Sequence, residues 1–171
     1  VAPAASYLFG TIHCGSDAEL DLDDARLAQA LADAHAHTLV GEVDLETAAD
    51  AEADALRWLP PEMPLSSLVD ADAFAMARHL LPAIAPATLE RMKPWLVLAL
   101  LEARGEALGA DTLDVRLHRM ARARGMQLVQ LETVAEQLQA LDCVPGEAQA
   151  VVLQERLKAP WIQRELTQRA L

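Results

Sequence analysis

The chain has 171 residues, of which 53% are hydrophobic but only 4% aromatic, and a formal net charge of −12. That length suits one domain with an aliphatic, largely helical core. The acidic balance leaves no basic face for phosphates or anionic lipid headgroups, which argues against nucleic-acid and membrane-surface partners. No run reaches the ~18 continuous apolar residues of a membrane span.

In chain order, Val1 to Ala5 opens without a methionine, as expected of a processed chain; a removed signal peptide and an exported, periplasmic location fit that opening. Ser6 to His13 predicts a first strand. Tyr7, Leu8, Phe9 and Ile12 are strand formers, and Gly15, Ser16 and Asp17 bound the run. Gly10 within it marks a bulge or a close approach by backbone or ligand. Asp23 or Asp24 is the candidate cap of a helix over Ala25 to Ala36, whose apolar face is Leu27, Ala28, Leu31 and Ala32. A second strand follows over Thr38 to Glu42, and the strand–helix–strand order is the signature of a parallel crossover. His35 and His37, at the helix end, read as residues facing the helix dipole and solvent; the alternative is a metal role for their two-residue spacing.

Glu46 to Leu59 predicts a helix stopped by Pro60 and Pro61. Ser66 to Ile84 predicts another, with a capping start near Asp70 or Asp72, and Pro86 to Met92 a short helical turn. Pro94, at the first-turn position where proline is tolerated, opens an apolar helix to about Ala107, ended by Gly109. Asp111 to Arg124 predicts a helix with Leu113, Leu117 and Met120 as its apolar stripe and Gly125 as its C-cap. Arg116, His118, Arg119, Arg122 and Arg124 make it the basic helix, read as a solvated or ion-paired face rather than an anion site. A third strand spans Gln127 to Glu132. Helices over Thr133 to Leu141, Gly146 to Leu157 and Trp161 to Leu171 complete the chain. The expected fold is a single helix-rich α/β domain over residues 1–171, with a small, mainly parallel sheet and helical crossovers. Three strands make a thin sheet, so a further strand after Leu171 or a partner chain is expected to complete it.

Each predicted strand ends in a residue that carries chemistry: His13, Glu42 and Glu132. If the strands are parallel, all three emerge at one edge, where ligands bind in open α/β sheets. An imidazole and two carboxylates at one spot suggest a divalent metal or an acid–base site. Each residue also has a plainer reading: a buried histidine, or a carboxylate capping the next helix. The cysteines, Cys14 and Cys143, show no Cys-x-x-Cys spacing. Cys14 reads as a small buried residue, with a role beside His13 or a disulfide to Cys143 as alternatives.

Tyr7-Leu8-Phe9-Gly10-Thr11-Ile12-His13 resembles the opening motif of the TraB/PrgY/GumN family, to which Tiki-type metalloproteases are related. Val40-Gly41-Glu42-Val43-Asp44 resembles its acidic second motif, and Met92-Lys93-Pro94-Trp95 its Lys-Pro-Trp signature. Gly109-Ala110-Asp111-Thr112-Leu113, then Leu131-Glu132-Thr133 with Gln137, resemble the later Gly-x-Asp and Leu-Glu-Thr blocks. The blocks stand in the family's order and cover most of the chain. The resemblance implies a metal-dependent hydrolase, in the Tiki case a peptidase using manganese or cobalt. It carries the Gly-x-x-His motif onto Gly10 and His13, and the acidic positions onto Glu42 and Glu132. One departure stands out: the family's second Gly-x-x-His, near its C-terminus, has no counterpart in these residues, so the domain is expected to be C-terminally incomplete here and to bind metal weakly or not at all on its own.

The expected site then has His13 and Glu42 as metal ligands, Glu42 and Glu132 sharing the ligand and general-base roles, and Gly10 and Thr11 against the substrate. Carboxylate oxygen plus imidazole suits manganese, cobalt or zinc. The expected partner is a peptide or small-molecule substrate. Two other readings stand beside the peptidase: a module that binds or sequesters a peptide or small molecule without turnover, and an esterase-type hydrolase.

Overall fold

The structure, a computed structural model, describes residues 6–10, 23–44, 51–103 and 112–159. It divides into two units: Val1–Thr47 with Gly109–Thr133, and Ala48–Leu108 with Val134–Leu171.

The first unit is built from two helix–strand pairs that end their helices alike. Helix α1 (Asp24–Asp33) starts where the Asp23 carboxylate accepts the Arg26 N–H at 2.8 Å, satisfying an amide the helix itself leaves unbonded. It stops at His35, which has a left-handed φ of 47°, and the Ala36 N–H reaches back to the Leu31 carbonyl at 3.4 Å. The chain then extends into strand β1 (Thr38–Gly41). Later in the chain, helix α6 (Leu113–Ala123) stops at Gly125 with φ 67°. The Met126 N–H reaches back to the Ala121 carbonyl at 3.0 Å, and strand β2 (Gln127–Gln130) follows. Both turns need a residue in the left-handed region, where glycine fits without a Cβ clash.

β1 and β2 pair in parallel, with Thr38 opposite Gln127 and Gly41 opposite Gln130. Helix α6 packs against both strands and against α1. Leu27, Leu113 and Leu117 are buried at the centre of this unit, with Leu31, Leu39 and Met120 against them. Side chains alternate across a strand, so Leu39 and Leu128 are half-buried while their neighbours Val40 and Val129 are exposed.

The predicted first strand does not form over its described half. Ser6–Gly10 carries no regular secondary structure, and Tyr7, Leu8 and Phe9 are exposed. Strand formers make a strand only where a neighbouring edge and a covered face are supplied, and this segment has neither among the described residues. Thr11 to His13 lie outside the described residues, as does the last predicted helix from Trp161.

The second unit is helical. It contains α2 (Ala51–Ala55), a 3-10 turn (Leu65–Ser67), α3 (Ala71–Leu80), α4 (Pro86–Arg91), α5 (Pro94–Glu102), α7 (Val134–Asp142) and α8 (Gly146–Leu157). The single helix expected over Ser66 to Ile84 is in fact the 3-10 turn and α3. Asp70 breaks the run: its extended backbone leaves its carboxylate free to accept the Ala73 N–H at 2.7 Å. Leu65, Leu89, Val97 and Leu153 are almost wholly buried in one core. Each such side chain contributes about 1.5–3 kcal/mol over its exposed state. An antiparallel bridge between Trp58 and Met92 ties α2's exit to α4's; across it the Leu59 N–H donates to the Arg91 carbonyl at 2.6 Å and the Lys93 N–H to the Arg57 carbonyl at 3.0 Å.

Candidate functional site

Parallel pairing fixes the geometry of the strand ends. β1 and β2 run the same way and finish level, at Gly41 and Gln130. Glu42 is the first residue beyond β1 and Glu132 the second beyond β2. Their backbones are joined there: the Glu132 N–H donates to the Glu42 carbonyl at 2.9 Å, and the Leu131 N–H to the Gly41 carbonyl at 3.0 Å. Two of the three strand-end residues named from sequence thus leave the same end of the same sheet. The Glu42 side chain is exposed and that of Glu132 half-buried. The third, His13, lies outside the described residues, and so does Thr11. Gly10 is described, and no described atom comes within 4 Å of the point a Cβ there would occupy.

Two residues that sequence reasoning left without a role also reach this end. Asp44 follows Glu42 by two positions. The imidazole of His118, buried on α6, lies with Nε2 3.8 Å from an Asp44 carboxylate oxygen. The basic helix is therefore only partly a solvated face. Arg116 is buried as well, and its guanidinium pairs with Asp24 at 2.8 Å. Arg119, Arg122 and Arg124 are exposed, as expected for an ion-paired or solvated face; Arg124 donates to the Ala28 carbonyl at 2.7 Å. The signal for the two buried ones was their place directly beside Leu117 of the apolar stripe.

The opposite end of the sheet looks different. An open hollow of about 620 Å³ lies where the strands begin, lined by Leu31, His35, His37, Arg124 and Met126 among others. The two histidines are exposed there. Among the described residues no carboxylate lines it, and it lies at the end of the strands away from Glu42 and Glu132. Cys143 is free and exposed.

Carboxylate oxygens from Glu42 and Glu132 suit a hard divalent cation such as manganese in their chemistry. Among the described residues, no group of three or more histidine, cysteine, aspartate or glutamate side chains is close enough to hold a metal ion. A metal site at this end would therefore draw a donor from outside them, which is the role the sequence gives His13.

The second unit contains the Lys-Pro-Trp signature. Lys93 caps no helix with its side chain; its Nζ instead donates to an Asp142 carboxylate oxygen at 2.6 Å, with both side chains largely shielded. Pro94 takes the first turn of α5. Buried Gln149 accepts the Trp95 N–H at 3.4 Å and donates to the Val144 carbonyl at 2.6 Å. This network joins the starts of α5 and α8 and the end of α7, a structural role within that unit.

A helix-rich α/β protein with a small parallel sheet and acidic residues at the sheet's carboxyl end is the class these features define. The TraB/PrgY/gumN family model matches residues 2–170, nearly the whole chain, and the chain belongs to that family. No curated protein and no solved structure matches it. Among the described residues, no helix is long and apolar enough to cross a membrane.

Proposed function

We propose that this protein is a metal-dependent hydrolase acting on peptide bonds, with its site at the carboxyl end of the sheet. Support comes chiefly from one observation: β1 and β2 are parallel neighbours, and the backbones of Glu42 and Glu132 meet beyond them at 2.9 Å. Acidic residues from separate segments converge there, where open α/β sheets bind ligands.

In this reading His13 and Glu42 hold a divalent cation, manganese, cobalt or zinc. Such a cation supplies a Lewis acid for the scissile carbonyl and makes water more acidic. The chain's own part is to orient and to move protons. Glu132 accepts the proton of the attacking water and returns it to the leaving amine, a role in which a positioned base contributes about 10²–10⁴-fold. Gly10 and Thr11 contribute backbone and hydroxyl contacts to the substrate. The overall charge of −12 favours retention of a cation and disfavours strongly acidic peptides.

The test is turnover of a peptide library by the full-length protein, with and without chelator, for wild type and for His13→Ala, Glu42→Ala and Glu132→Gln. Chelator and each substitution are expected to lower kcat/KM by about 10²-fold or more. Peptide binding that is independent of metal and survives all three substitutions would reject hydrolysis in favour of a sequestering module. Turnover of esters but not peptides would move the substrate class.

A further inference from the structure

The hollow at the start of the strand pair has no part in the proposed chemistry. Its lining is partly apolar, from Leu31, Ala36 and Met126, and partly basic, from His35, His37 and Arg124. Among the described residues it includes no acid. In a chain of net charge −12 most of the surface repels anions; here the local sign is reversed. Arg124 stays charged at any physiological pH and presents several N–H donors in a flat fork. One terminal nitrogen donates to the Ala28 carbonyl at 2.7 Å, which tethers the guanidinium beside α1. His37 is fixed by its backbone, whose carbonyl accepts the Gln127 N–H at 2.9 Å. The left-handed turn at His35 sets the other imidazole in place. A neutral imidazole still carries one N–H, so these two donors do not depend on a charged ring. Asp33, the nearest acid along α1, is engaged elsewhere, accepting the Gln29 amide N–H at 2.6 Å.

One effect opposes an anion. Helices α1 and α6 both end here, and helix carboxyl ends favour cations. That effect fades within the last turn. The turns also bond some of the carbonyls involved, through the Ala36 N–H to Leu31 and the Met126 N–H to Ala121. A charge-assisted bond from a guanidinium is the stronger influence.

We propose that this hollow binds a carboxylate that carries a short aliphatic body. The acid group meets Arg124, His35 and His37, and the body lies against Leu31, Ala36 and Met126. A planar acid fits because the guanidinium fork matches two carboxylate oxygens. The volume of about 620 Å³ lies within the ~300–1,000 Å³ of small-ligand clefts. A free short-chain acid and the C-terminus of a peptide ending in an aliphatic residue share this chemistry. The hollow lies at the other end of the strands from Glu42 and Glu132, and the proposal does not rest on a metal there.

The test is amide NMR of the full-length protein titrated with hexanoate, with uncharged hexanamide and with the peptide acetyl-Ala-Ala-Leu. Hexanoate is expected to shift the amides of residues 31–38 and 124–127 saturably, and hexanamide to bind at least about tenfold more weakly. A peptide that binds more tightly than hexanoate points to a peptide C-terminus, and one that binds less tightly to a free acid; either order supports the shared chemistry. Arg124→Gln is expected to weaken hexanoate binding by about 10–100-fold, and the double variant His35→Ala, His37→Ala by about tenfold. Equal binding of hexanoate and hexanamide overturns the proposal, because the hollow is then only apolar. So do shifts that never saturate or that centre outside these residues, and so does unchanged affinity in Arg124→Gln. Should Arg124→Gln not fold for want of its bond to Ala28, the wild-type comparison of hexanoate with hexanamide decides.

Discussion

Gly125 and His35 occupy equivalent places, each ending a helix in the left-handed region just before a strand, with φ 67° and 47°. Only one of them is glycine. A Cβ added at Gly125 would meet nothing within 4 Å, so a side chain there is disfavoured by backbone conformation and not by crowding. Gly125→Ala is expected to destabilise the protein by about 1 kcal/mol, read as a lower urea midpoint with an unchanged slope. His35→Gly is expected to change stability by less, because relief of strain is offset by the freedom glycine adds to the unfolded chain. Equal and large losses in both variants would show that these turns are held by side-chain contacts. Gly125 was legible in the sequence as a helix stop because glycine is the usual residue there. His35 was not, because histidine carries no such signal and its conformation is imposed by the strand that follows.

Among the elements, α3 offers the clearest dependence on pH. The Asp70 carboxyl is held below its ordinary pKa, first by the Ala73 N–H it accepts and then by nearby Lys158, with partial desolvation working the other way. A depressed folded value means that the ionised cap favours the folded state at neutral pH, and that this contribution is lost as pH falls through the folded value. Asp70→Asn is therefore expected to melt below wild type at pH ~7, with the gap closing by pH ~2 as the wild-type carboxyl protonates. A gap that stays constant across that range would contradict the assignment. The same residue shows how far elements can be read from sequence. Asp23, Asp70, Pro94 and Gly125 announce helix ends through local chemistry, and all four mark helix ends in the structure. Thr38–Gly41 and Gln127–Gln130 were legible as strands. Tyr7, Leu8 and Phe9 have the same strand-forming character, but their state depends on distant partners that composition does not reveal.

At the scale of the whole molecule, Glu42 and Glu132 are 90 positions apart in sequence and neighbours in the sheet, joined by a backbone hydrogen bond. Their position at strand ends was readable, because apolar runs ending in a carboxylate recur. The burial of His118 beside Asp44 was not, since it depends on how α6 docks on the sheet. The proposed function requires a divalent cation to bind at this carboxyl end with Glu42 and Glu132 around it. Amide NMR of the full-length protein with substoichiometric Mn²⁺ tests it most directly, because a paramagnetic ion broadens signals according to distance. The first and last residues of the strand pair lie about 10 Å apart, at roughly 3.3 Å per residue. Glu42 and Glu132 are expected to broaden first and His37 and Gln127 to persist at that ratio. Broadening centred on another part of the chain, or spread evenly over its acidic surface, would contradict it.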